Sequence, residues 1–229
     1  MINTCPVCGN SEFNYAPVLW NDLISEWQLA ENEVKYIDRQ QGFFCVGCGN
    51  NLRSMALADA ILRAYNFSGS LEQFVESDSA KTLMVLEINE AGGLTPVLKK
   101  LPNHRLVCYP EHDMTCLSFE SATFDLVLHS DTLEHVYNPV AGLSECCRVL
   151  ANNGHCIFTI PVIVDRFTRS RAGLSPSYHG SPTESGGNLL VQTEYGVDMW
   201  KDVLLAGFSS ITVHCLEYPA GLALIARHY

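Results

Sequence analysis

Positive charge is what this sequence has least of. Lys and Arg together number 14 against 25 Asp and Glu, for a formal net charge of −11, and the basic residues nowhere form a run. Such a chain repels a phosphate backbone, which speaks against nucleic acid as a partner. Also missing is any stretch of the roughly 18 apolar residues that a membrane-spanning helix needs. The first ten residues lack the basic start and apolar run of a secretory signal, so a cytoplasmic location is expected. Internal repeats and low-complexity tracts are absent too. What remains is 229 residues, 47% hydrophobic, enough for one full domain with a small appendage.

The ten cysteines divide into two groups. Cys108, Cys116, Cys146, Cys147, Cys156 and Cys215 are scattered through apolar segments and read as small core residues of a reducing compartment. The other four form matched knuckles, "CPVCG" with Cys5 and Cys8, and "CVGCG" with Cys45 and Cys48. Each is closed by a glycine that permits a tight turn around a bound thiolate. Four thiolates imply structural, tetrahedral zinc with no open position for substrate; accidental pairs or a redox dithiol are the alternatives. Between the knuckles, Trp20, Leu23, Ile24, Trp27 and Leu29 predict a helix packed on the metal site.

These patterns divide the chain into a zinc-ribbon-like module over residues 1–50, a helical bridge over 51–80 and a main domain over 81–229. In the bridge, Leu52, Met55, Leu57, Ala58, Ile61 and Leu62 form an apolar helical stripe, and Leu71 to Val75 predict a second short helix. Beyond Lys81 strands and helices alternate: strands at 82–88, 105–108, 124–129, 154–160, 209–214 and 221–226, with helices at 96–101, 139–150 and about 194–206. That order is α/β, a parallel sheet with helices on both faces, and such sheets bind ligands at the carboxyl ends of their strands.

Polar residues cluster at two of those ends. In "VLEINEAGGLTPVLKKLP", Glu87 closes the first strand, Gly92 and Gly93 lie in the loop, and Thr95 and Pro96 open a helix whose N-terminus suits a negative group. Asn89 and Ala91 stand where a glycine-rich pattern has glycines. In "FDLVLHSDTLEHV", a strand covered on both faces runs into His129, Ser130, Asp131, Glu134 and His135.

Together with "NPVAGLSECCRVLANNGHCIFTIP", these residues resemble class I S-adenosylmethionine-dependent methyltransferases of the type 11 kind, over residues 82–229. The resemblance implies a Rossmann-like sheet and S-adenosylmethionine as cofactor. It sets Glu87 and the backbone of Asn89, Ala91, Gly92 and Gly93 against the cofactor's methionine part and ribose, with Glu111 at the ribose hydroxyls unless it is a plain surface carboxylate. In "HDMTCLSF" it sets Asp113, with Met114 beside it, at the adenine amino group. His129, Ser130 and Asp131 would line the methionine end. The acids suit a sulfonium and an ammonium, whereas a pyrophosphate would be repelled.

Methyl transfer needs chiefly proximity and orientation, with a base only if the acceptor loses a proton. His135 or His129 is a candidate base; the bland alternative is a histidine that hydrogen-bonds within the fold. Residues 162–190, rich in Gly, Ser and Pro, are expected to fold over the pocket as a lid. There Arg169 and Arg171 would meet an anionic acceptor, and Tyr178 and His179 would orient it or take its proton. The expected acceptor is a small molecule, sugar or lipid precursor. The rivals are an RNA methyltransferase using the zinc module and a degenerate fold that only binds or regulates; a dehydrogenase is more distant, for want of the glycine spacing beneath a pyrophosphate.

Overall fold

The computed structural model describes residues 2–178 and 189–229. The chain opens with strand β1 (Phe13–Tyr15), helices α1 (Asn21–Glu26) and α2 (Glu31–Gly42), and strand β2 (Phe43–Cys45), which pairs antiparallel with β1. Helix α3 (Leu52–Ala64) follows the second knuckle directly, with the Asn51 side chain accepting from the Ser54 N–H as its N-cap. Two short helices, α4 (Leu71–Val75) and α5 (Asp78–Lys81), are each capped by a serine, Ser70 and Ser77.

The main sheet then builds from β3 (Val85–Ile88), helix α6 (Thr95–Leu98), β4 (His104–Val107), β5 (Phe124–Ser130), helix α7 (Pro139–Val149) and β6 (Leu150–Thr159). Short strands β7 (Val162–Ile163), β8 (Arg169–Ser170) and β9 (Thr193–Gly196) form a separate three-stranded sheet. Helix α8 (Trp200–Leu205) leads to β10 (Ser210–Glu217) and β11 (Gly221–Arg227). The strand order is β10-β11-β6-β5-β3-β4, with β6, β5, β3 and β4 parallel and β10 and β11 antiparallel. This is the α/β, Rossmann-like sheet expected of the sequence.

Register brings the carboxyl ends of the parallel strands to one edge: Ile88 pairs with Val107 and with His129, and Ser130 with Thr159. Helices cover both faces. One apolar cluster joins Leu126, Leu128 and Ile157 of the sheet to Leu52, Met55 and Ile61 of α3 and on to Cys5, Val7 and Cys45. The other packs Val127, Phe124 and Phe158 against Leu143 and Cys146 of α7 and Val203 of α8. The four-cysteine segment, helix α3 and the sheet thus share a continuous core.

Three sequence expectations change. The predicted helix from residue 194 begins only at Trp200; Thr193–Gly196 is strand β9 instead. Its buried Glu194 receives both Arg169 (2.6 Å) and Arg171, a long-range demand that local periodicity does not carry. Those two guanidinium groups therefore face Glu194 and are not held out for an anionic acceptor. Between the knuckles there are two helices in place of one; α1 contains no fully buried residue, and its Leu23 packs against the core cluster that includes Cys5 and Cys45.

The segment carrying β7 and β8 is firmly attached. Arg166 donates to Glu33 at 2.8 and 2.6 Å and to the carbonyls of Trp27 and Gln28 at 3.2 and 2.7 Å. The described part of the expected lid is thereby clamped to α1 and α2.

Candidate functional site

A cleft of about 980 Å³ opens at the carboxyl ends of β3, β4 and β5. Its walls come from Asn89 and Glu90 after β3, from Tyr109 and His112–Thr115 after β4, and from Ser130–Thr132 and His135–Asn138 after β5, with Leu189 and Gln192 closing one side. Glu90, Asp113 and Asp131 give it an acidic lining.

The loop after β3 shows why the glycine pattern is dispensable here. Asn89 takes φ +57°, a left-handed conformation that asparagine tolerates better than most side chains. Its Oδ1 accepts from the Tyr109 N–H at 3.0 Å, joining the loops that follow β3 and β4. Ala91 has φ −79° and needs no glycine. Its N–H donates to Glu87 Oε1 at 2.8 Å.

Several expected ligand contacts are corrected by burial. Glu87 is fully buried and off the cleft wall; its carboxylate meets the Ala91 N–H, the Thr95 hydroxyl and, at 2.6 Å, His104 Nε2. It therefore shapes the loop and does not touch a ligand in the cleft. Ala91 is buried, and Gly92 and Gly93 lie outside the lining. Glu111 is exposed and also off the wall, as a surface carboxylate would be.

His129 is fully buried, its ring stacked on Phe158 at 4.6 Å, with no hydrogen-bond partner among the described residues. It is a core residue on the α7 side of the sheet and not a base. Burial pushes its pKa down to about 4, against the opposing pull of Glu134, and burial does the same to His155. The unfolded chain takes up a proton at each near pH 6.5, the folded chain only near 4. Stability present at neutral pH is thus lost as pH falls through that window, on the order of 3 kcal/mol from His129. Urea midpoints should fall between pH 7 and 4, and less steeply in His129→Gln; equal slopes would refute the assignment.

The residues that do meet in the cleft are Asn89, Asp113, Met114, Ser130, Asp131 and His135. Asp113 Oδ1 accepts from the Thr115 N–H at 2.8 Å. Ser130 Oγ lies 2.8 Å from Thr159 Oγ1. His135 Nδ1 is 3.1 Å from the Leu190 carbonyl, which fixes Nδ1 as the protonated nitrogen, and Nε2 lies 3.5 Å from Glu134. Tyr178 is 45% exposed and lines neither the cleft nor its neighbour; His179 lies outside the described residues.

The sequence reading missed Arg53. From the first turn of α3 it pairs with Asp131, a residue of strained φ, +43°. A cation in a helix's first turn is misplaced against the dipole unless an anion holds it, and that was the available signal. Asp131 also lines a second, apolar cavity of about 480 Å³ on the side of α1 and α2.

The Sγ atoms of Cys5, Cys8, Cys45 and Cys48 all lie within 4.8 Å of one another, with Cys5–Cys48 at 3.7 Å and Cys8–Cys45 at 3.6 Å. Thiolates about 2.3 Å from a tetrahedral zinc stand about 3.8 Å apart, so the donor set fits that metal.

A family model described as a methyltransferase domain matches residues 44–158, half of the chain. The chain belongs to this methyltransferase family. The Rossmann-like sheet agrees with that membership. No curated protein matches its sequence. Solved structures similar to it include the CMeT domain of the citrinin polyketide synthase, 13% identical, TM-score 0.48, covering 91% of this chain and 59% of that one. Human N-acetylserotonin methyltransferase, solved with S-adenosylmethionine, is 14% identical, TM-score 0.42, covering 77% and 56%. YcgJ of Bacillus subtilis is 14% identical, TM-score 0.37, covering 62% and 69%. Of the first solved chains it matches, this chain spans from 44% to 70% of the length. Among the described residues, no helix is long and apolar enough to cross a membrane.

Proposed function

We propose that this methyltransferase transfers the methyl group of S-adenosylmethionine to a small-molecule acceptor, with the four-cysteine cluster holding a structural zinc. The observation that carries the reading is the acid-lined cleft at the ends of β3, β4 and β5. Its polarity suits a ligand that is cationic at both a sulfonium and an ammonium, and repels a pyrophosphate. When bound, S-adenosylmethionine supplies an electrophilic methyl group and leaves as a neutral thioether.

The chain's own part is binding and orientation. Asn89, Asp113, Met114, Ser130 and Asp131 hold the cofactor, while Glu87 positions the loop from behind. Asp131 stands where cofactor cleft and apolar cavity meet, so the acceptor approaches there. His135, with Nδ1 committed to the Leu190 carbonyl, keeps Nε2 as the nitrogen able to take a proton if the acceptor has one to lose. The loop's backbone angles at Asn89 and Ala91, met there without glycine, favour a working cofactor site over a degenerate one.

Calorimetric titration with S-adenosylhomocysteine should give saturable binding in the micromolar range, weakened by Asp113→Ala through loss of a charge-assisted contact, on the order of 1 kcal/mol. No heat and no thermal shift with either S-adenosylhomocysteine or S-adenosylmethionine would sink the cofactor assignment.

A further inference from the structure

We propose that the apolar cavity beside α1 and α2 is the acceptor site, and that its ligand is a neutral, ring-bearing, mostly apolar small molecule whose one polar group meets the Arg53–Asp131 pair. The inference rests on the methyltransferase reading and narrows it to a substrate class.

Position comes first. Asp131 is on the wall of both spaces, so a molecule seated in the apolar cavity would reach the cofactor cleft at that residue. A volume of about 480 Å³ is within the usual range for small-molecule pockets, roughly 300–1,000 Å³.

Chemistry comes next. Leu23, Trp27, Leu29, Ile37, Val162 and Ile163 supply an apolar wall, and the charged residues on the lining, Arg53 and Asp131, neutralise each other. Such a space has no net charge to offer a phosphate, a nucleotide-linked sugar or an RNA. The chain's net charge of −11 adds repulsion to any polyanion. A neutral apolar body costs least to desolvate here, and the indoles of Trp20 and Trp27 provide flat faces for a ring.

The wall is also built to stand with its apolar side chains uncovered. Helix α1 has no buried residue, and Val18 and Trp20 are 43% and 38% exposed. Neighbouring chain is nevertheless fixed: the N–H groups of Val18 and Leu19 both donate to Asp38 Oδ1 at 2.8 Å, and Trp27 Nε1 donates to Ser177 Oγ at 2.7 Å. The exposed side chains of Val18 and Trp20 leave contact area that a ligand would bury.

The test uses the full chain loaded with S-adenosylhomocysteine and titrated with 2-naphthol, 2-naphthyl phosphate and UDP-glucose. 2-Naphthol should bind saturably, with the phosphate of the same ring at least tenfold weaker and the nucleotide sugar weaker still. Leu23→Asp should weaken 2-naphthol at least tenfold while S-adenosylhomocysteine affinity stays within twofold. Ile163→Trp, which fills the cavity from the opposite wall, should do the same. If the cofactor product binds but 2-naphthol does not, or the phosphate binds more tightly, the acceptor class is overturned and the methyltransferase reading stands. If both variants fold and bind 2-naphthol like the parent, the cavity is not its site and the inference falls. Failure to bind S-adenosylhomocysteine at all would overturn the methyltransferase reading and this one with it.

Discussion

Stripping zinc from the four-cysteine cluster should lower the unfolding midpoint by about 6–12 °C and weaken S-adenosylhomocysteine binding in the same step. Structural zinc contributes on the order of 10 kcal/mol to the folding of small modules. If only about 3 kcal/mol of that reaches this larger fold, a chain of its length shifts by about 2–4 °C for each kcal/mol. Contacts link the cluster to the rest. The first knuckle docks on α4 through the N–H groups of Leu71 and Glu72, which donate to the carbonyls of Pro6 and Val7 at 2.7 and 3.0 Å. Asn50 donates to Cys48 Sγ at 3.4 Å and lies so close to the cofactor loop that a Cβ on Gly93 would meet its Oδ1 at 2.5 Å. The cysteine cluster is thus two side-chain steps from the loop that frames the cleft.

A division into units at residues 50 and 80 would instead give an early, separate transition of the first fifty residues, with cofactor-product affinity intact. Differential scanning calorimetry with and without chelator, beside elemental analysis, separates the two. Cys45→Ser should reproduce the chelated state. Protein that carries no metal and melts identically with chelator would remove zinc from the account altogether.

What the sequence disclosed, and what it withheld, follows from where each signal lives. The knuckles are local and chemically specific, and their four sulfurs converge. Helix α4 has the expected bounds, Leu71 to Val75, and α7 starts at Pro139 as expected. The strands of the sheet are legible as apolar runs, but a strand buried on both faces loses the period-2 pattern that tells which side chains point where. Glu87 and His129 were therefore read as cleft residues when the pleat turns both into the interior. Arg53 was hidden for the opposite reason: it sits in an apolar helical stripe, and its meaning depends on Asp131, distant in sequence. Glu194 was absorbed into a helix because its partners, Arg169 and Arg171, lie across a fold that no local window sees.

The buried Glu87 gives the most discriminating substitution. Glu87→Ala should destabilise the fold by on the order of 3 kcal/mol, since it strands the Ala91 N–H, the Thr95 hydroxyl and His104 in the interior without their acceptor. S-Adenosylhomocysteine affinity should fall with it, because Ala91 and Thr95 carry the loop that holds Asn89 on the cleft wall. Glu87→Gln separates this positioning role from direct charge recognition. A glutamine keeps a carbonyl oxygen for Ala91 and Thr95, and its amide can donate to the neutral His104 ring in the tautomer with Nε2 free. The Gln variant should therefore recover most of the stability and most of the affinity. A carboxylate that touched the cofactor's ribose or ammonium would behave otherwise: removing the charge alone would weaken binding nearly as much as removing the side chain, with little change in the melt. Paired thermal and calorimetric titrations on the Ala and Gln variants measure both quantities. If Gln binds as poorly as Ala while melting like the parent, the assignment of Glu87 to the loop's support is wrong and the carboxylate must reach the ligand.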